Sequence, residues 1–213
     1  MKQIPMLVLL GLALSLCNIS DRLKASKNSN GSGTGIGTTS SGAGDGVTAE
    51  KAVPTAAQTA ALLDGAPMSW DQQGITWTVP PKWNKLTDDK NSFLVHSLGG
   101  SDAANLIASI SAMAEDFPVD ISIKAFYDGA KTRQKNGEVD QLKWVEIDGV
   151  KGIQFRESNP QKPDDIRRMQ WIAYRKYAGQ VQMVNIILSS SGKGFPGHED
   201  AMIGTLYSMK LVH

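Results

Sequence analysis

The chain has 213 residues, of which 41% are hydrophobic and 20% charged, enough to bury one good core and too little for two full domains. Its formal net charge is +1, and residues 65–213 set 17 Lys/Arg against 17 Asp/Glu, so the one-sided basic excess of a nucleic-acid binder is missing. Cys17 is the only cysteine, which excludes an intrachain disulfide framework, a cysteine zinc cluster and a Cys-based redox pair.

Met1–Cys17 opens with Lys2 and then runs apolar for about a dozen residues, too short for a comfortable membrane span and suited to a secretory signal. Leu14-Ser15-Leu16-Cys17 resembles the lipobox of bacterial lipoproteins, whose cysteine becomes the lipidated first residue of the mature chain, so Cys17 is the lipidation candidate. Leu16 departs from that pattern, because the family carries Gly, Ala or Ser there. Ala13-Leu14-Ser15 instead suits ordinary signal-peptidase cleavage before Leu16, and an uncleaved signal anchor is a third outcome.

Residues 25–47 are almost wholly Gly, Ser, Thr and Asn, a composition that cannot bury enough apolar surface to offset its ordering entropy. Residues 18–65 are therefore expected to be a flexible linker, a coil of about 45 residues that holds the domain on the order of 35–40 Å from its anchor. The glycines of GSGTGIG lack the preceding strand and following helix of a nucleotide-binding loop. Ala49–Leu63 is Ala-rich and suits a short helix, but Pro54 and a weak apolar face predict that it does not dock firmly.

The folded domain is expected over residues 66–213. Ser69–Gln72 and Ile75–Val79 read as a hairpin, ended by Pro80-Pro81, after which Trp83 turns back to the core. Ser92–Ser97 and Leu106–Met113 read as further strands. Asp120 is placed to cap a helix over Ile121–Lys135, whose Ile123, Phe126, Tyr127 and Ala130 fall on one stripe. Asp148-Gly149 between Leu142–Ile147 and Val150–Glu157 is a type I′ hairpin signal. Ile166–Tyr177 and Val181–Leu188 form a long hairpin across Ala178-Gly179, and the second of these runs is apolar enough to be covered on both faces. Gly197–Tyr207 reads as the last helix, with Met202, Ile203 and Leu206 inward and Glu199 and Asp200 in its first turn. The fold class is α+β, an antiparallel sheet with two main helices packed against it.

Over residues 66–213 the chain resembles the superfamily that groups the extrinsic photosystem subunit PsbP with the bacterial envelope protein DcrB. The residues that carry the resemblance are Ile75–Trp83, Ile147-Asp148-Gly149-Val150-Lys151-Gly152 and Ser208–Leu211. It implies a PsbP-like fold, and members that act largely as noncatalytic assembly or docking subunits with no shared catalytic set. The PsbP branch attaches to photosystem II, and nothing in these motifs singles out that branch.

A search for chemistry returns bland readings. His96, His198 and His213 lie at no mutual ligand spacing, so no metal site is expected. Ser190-Ser191-Gly192-Lys193 has the Ser-x-x-Lys spacing of acyl-serine enzymes without their companion motifs. Asp88-Asp89, Asp164-Asp165 and Glu199-Asp200 read as solvated charges. No cofactor is expected. The surface singled out is the Ile166–Tyr177 strand, where Arg167, Arg168, Arg175 and Lys176 flank Trp171 and Tyr174 and could share a face as interface anchors. The sequence thus points to an exported, membrane-tethered binding or accessory module of the bacterial envelope with a protein partner. A small envelope hydrolase and a PsbP-type photosynthetic subunit are the alternatives.

Overall fold

The structure is a computed structural model, and it describes residues 48–212. The stretch expected to be a signal, with Cys17, most of the expected linker and His213 lie outside the described residues. In chain order the elements are β1 (Glu50–Lys51), α1 (Ala56–Ala61), β2 (Ala66–Trp70), β3 (Ile75–Val79), β4 (Asn84–Asp88), β5 (Ser92–His96) and β6 (Asn105–Ala112). They continue with α2 (Val119–Lys135), β7 (Val139–Ile147), β8 (Val150–Glu157), β9 (Ile166–Tyr177), β10 (Gln180–Ser191), α3 (Phe195–Tyr207) and β11 (Lys210–Leu211).

Two tight turns set the register of the sheet. Asp148 and Gly149 take φ of 47° and 81°, and Ala178 and Gly179 take 50° and 79°, the pair of positive angles that a two-residue type I′ connection requires. β7 therefore pairs with β8 from Ile147↔Val150 outward, and β9 with β10 from Tyr177↔Gln180. Eight strands join in the order β1-β7-β8-β9-β10-β6-β5-β4, and β11, β3 and β2 make a separate three-stranded sheet. The all-antiparallel expectation fails at one edge, where β1 runs parallel to β7 with Glu50 opposite Val145. β1 arrives from far upstream, so no hairpin dictates its direction.

Alternation along each strand divides its side chains between two cores. Met169, Trp171, Ala173, Val184, Ile186 and Leu188 face inward, where the small sheet and α3 close over them. Trp70 and Trp77 stack on Phe93 in that core, and α3 adds Phe195, Met202, Ile203 and Leu206. α3 starts two residues earlier than expected, with Pro196 in its first turn. Glu199 accordingly lies one turn inside and pairs with Arg156 rather than meeting the helix terminus. On the outer side α2 packs over β7, β8 and β9, burying Ile123 and Ala130 against Ile153, Phe155 and Ile172. Pro118, not Asp120, holds the N-cap, and Asp120 supplies first-turn charge.

Ordered elements also precede residue 66, inside the stretch expected to be linker. Thr55 and Gln58 form a reciprocal capping box that starts α1, and α1 lies on α3. The contact is close: a Cβ at Gly204 would stand 2.7 Å from the Gln58 carbonyl oxygen. Firm docking replaces the loose helix expected of Ala49–Leu63, because small residues and a cap make the contact where an apolar stripe is lacking.

Candidate binding surface

The six residues singled out on β9 do not share a face. Strand alternation sends Arg167, Trp171 and Arg175 inward and Arg168, Tyr174 and Lys176 outward. Trp171 is fully buried in the main core, and Arg167 and Arg175 are 6% and 5% exposed. The basic-aromatic patch is corrected on this ground. Arg167 donates to Asp140 at 2.6 Å and to the Glu157 carbonyl oxygen at 2.9 Å, and its guanidinium stacks on the Phe195 ring. Arg168 reaches Glu157 at 3.5 Å. Both belong to a network in which Arg133 also meets Glu157 and Glu138, and Arg156 meets Asp140 and Glu199. Four arginines face four carboxylates there, so no net positive patch remains. Tyr174 is half-buried, bonded to the Ser122 hydroxyl and packed on Phe117; burial raises its phenol's pKa, and Ser122 partly offsets this.

The structure brings together a different surface. α2 lies over β7, β8 and β9 and reaches β10 only at Met183, and among the described residues no helix packs extensively on the outer face of β6, β5 and β4. β10 lies at the border of that cover: on its outer side Met183 packs against the α2 cluster and Val181 and Ser189 are buried, whereas Asn185 and Ile187 are half-buried beyond it, so the both-face cover expected of this strand is only partial. Pairing aligns Leu94, Ile107, Ile187 and Gln170 in one row across four strands. The inward neighbours of Ile107, Leu106 and Ala108, are fully buried, whereas Ile107 is 38% exposed. Polar rows flank it: Ser92, Ser109 and Asn185 on one side, His96, Asn105 and Ser189 on the other. Asn185 and Gln170 are held by a 2.7 Å hydrogen bond between them. Phe126, 39% exposed, follows Ser122 by one turn on the α2 flank that meets Tyr174, at the border of this open half.

The bordering edge strand is guarded against pairing. β4 carries a bulge between Lys85 and Thr87, and Lys85 pairs with Asp88 at 2.7 Å.

The polar groups of the Ser190–Lys193 segment are engaged in structure. Ser190 donates to the Asp102 carbonyl oxygen, and Ser191 to the Asp102 carboxylate at 2.7 Å. Lys193 pairs with Asp164 at 2.7 Å, an interaction that raises its pKa and keeps it cationic, the wrong state for a base toward either serine. Among the described residues, no three His, Cys, Asp or Glu side chains gather as a metal site, and no helix is long and apolar enough to cross a membrane.

The architecture is that of a sheet-and-helix α+β domain, and comparison with known proteins places it among solved folds. No family profile and no curated protein sequence matches the chain. By structure it is similar to LpqN of Mycobacterium tuberculosis, a protein involved in cell envelope biogenesis, with a TM-score of 0.52 and 14% identity over 70% of this chain and 86% of that one. Other neighbours are the cyanobacterial PsbP (CyanoP) of Synechocystis sp. PCC 6803, with a TM-score of 0.47 and 12% identity over 69% and 92% of the two chains, and the Ran-binding protein Mog1p of Saccharomyces cerevisiae, with a TM-score of 0.41 and 12% identity over 70% and 95%. The chain shares the fold of LpqN; at this identity the likeness is one of fold. The packing of helices against a sheet that the motifs at Ile75–Trp83, Ile147–Gly152 and Ser208–Leu211 imply is the packing observed.

Proposed function

We propose that this chain is an exported, membrane-tethered, noncatalytic accessory module of the bacterial cell envelope, and that it docks a protein partner on the uncovered half of its large sheet. The observation that carries the proposal is the Leu94–Ile107–Ile187 row, apolar and partly exposed, bordered by amides, hydroxyls and the His96 imidazole, with Arg168 at the end of one bordering row. Such a surface suits an apolar anchor with a polar rim. Three strand spacings of about 4.8 Å make it about 14 Å wide, enough for one helix of about 10 Å diameter. α2 already occupies the adjoining half in that manner. The signal-like apolar run of Met1–Cys17 and the fold shared with an envelope protein support the location.

The test compares recovery of a partner from envelope membranes by the wild type and by Ile107→Lys/Ile187→Lys. The variant is expected to melt close to the wild type and to lose the partner. Equal recovery by both proteins would move the docking site elsewhere. Tethering is tested separately: Cys17→Ala should shift the protein from membranes to the soluble envelope fraction, and unchanged retention would favour an uncleaved anchor.

A further inference from the structure

β1, β6, β7 and β9 all run in one direction, because β1 pairs parallel to β7 and each of the other two is reached through an even number of antiparallel ladders. They begin at the same end of the large sheet. The chain therefore enters β1 from that end, with 47 residues preceding Thr48.

Three connections are tied into one platform there. Ser190 donates to the Asp102 carbonyl oxygen and Ser191 to the Asp102 carboxylate, which fixes residues 97–104 to the end of β10. The Gly192 amide donates to the Asp165 carbonyl oxygen at 2.8 Å and the Lys193 amide to that of Pro163 at 2.9 Å, which fixes residues 158–165 to the same turn. The packing is tight: a Cβ at Gly192 would stand 2.6 Å from the Pro160 ring, and one at Gly194 would stand 3.0 Å from the Asp102 carbonyl oxygen.

This rigid rim holds two large aliphatic side chains out to solvent. Leu98 is 63% and Ile166 46% exposed, whereas Leu106 and Met169, which follow them in the chain, are fully buried. The neighbouring cations are matched by carboxylates: Lys193 meets Asp164 at 2.7 Å and Asp102 at 3.6 Å, and Arg168 meets Glu157 at 3.5 Å. The three connections carry Lys162 and Lys193 against Asp102, Asp164 and Asp165, so they offer no excess positive charge to anionic headgroups.

We propose that this end of the domain rests on the membrane that tethers it, with Leu98 and Ile166 entering the interface of a neutral lipid surface. The proposal rests on the tethering part of the functional reading and is independent of the open sheet face. Two aliphatic side chains make a weak contact in free solution, but a flexible tether renders it intramolecular, at an effective concentration on the order of millimolar. The strands then stand on the membrane, and the open half of the sheet faces sideways.

The experiment reconstitutes the full chain into phosphatidylcholine vesicles whose acyl chains carry bromine, a contact quencher of indole emission. Leu98→Trp and Ile166→Trp should each lose most of the emission that the new side chain adds, whereas Lys176→Trp, at the opposite end of β9, and the wild type should lose little. Replacing part of the lipid by phosphatidylglycerol should leave the loss unchanged. If the chain does not stay on the vesicles, the tethering reading fails; Cys17, the only cysteine, is then coupled to a maleimide phospholipid, and the same quenching decides. A retained chain in which Leu98→Trp and Ile166→Trp are quenched no more than Lys176→Trp, or quenching that appears only with phosphatidylglycerol, would overturn the assignment.

Discussion

Arg167 and Arg168 are chemically identical neighbours, and replacing each by alanine in turn measures how far the strand separates them. Arg167→Ala removes a guanidinium that is 6% exposed, bonded to Asp140 at 2.6 Å and to the Glu157 carbonyl oxygen at 2.9 Å, and stacked on Phe195 at 4.7 Å. Breaking a buried ion pair costs about 3–5 kcal/mol when the surviving charge is stranded. Asp140 is 31% exposed and keeps Arg156 at 2.7 Å, so it is not stranded and the loss falls at or just below that range, about 2–3 kcal/mol. Arg168→Ala removes a side chain that is 44% exposed with one 3.5 Å contact, a loss of about 0–0.5 kcal/mol. At about 2–4 °C per kcal/mol for a domain of this size, Tm should fall by about 4–12 °C in the first variant and by no more than about 2 °C in the second. Circular dichroism melts, with urea titrations to check that the slope is unchanged, provide the assay. Equal small shifts in both variants would refute the separation and restore a solvated face.

The docking of α1 on α3 predicts that Gly204→Ala, whose Cβ would press on the Gln58 carbonyl oxygen, accelerates hydrogen exchange over residues 56–61 while leaving the β9–β10 amides protected; unchanged exchange there would count against the contact. The Ser92 hydroxyl, then the Asn91 and Ser92 backbone amides, donate to Asp89 and hold its carboxyl below the ordinary value of 3.8. A lowered folded-state value contributes stability in full above the ordinary value and loses it as pH falls through the lowered one. The gap in urea midpoint between the wild type and Asp89→Ala should therefore be open near pH 7 and close below about pH 4. A gap independent of pH would assign the effect to packing.

The hairpins and the inward residues of α3 were legible because their signals are local: a dipeptide that accepts positive φ, and a helical stripe of Met202, Ile203 and Leu206. β4 was not, since Asn84–Asp88 is a bulged edge strand with no alternating apolar pattern. The β9 patch failed by parity. Residues 167, 171 and 175 share one face and 168, 174 and 176 the other, a distinction that the period of two already contains. The open half was illegible for a different reason. Ile107 and Ile187 are as apolar as core residues, and only the lateral position of α2 determines that they stay uncovered.

The central claim, a partner seated on that open half, is tested most directly by site-specific photocrosslinking in cells. A photoreactive side chain is placed in turn at Leu94, Ile107 and Ile187, and at two exposed control positions, Thr76 on β3 and Lys131 on α2. The account predicts that the three open-face positions crosslink to one and the same protein and that the two controls do not. Crosslinks arising from Thr76 or Lys131 while Ile107 and Ile187 remain silent would contradict it.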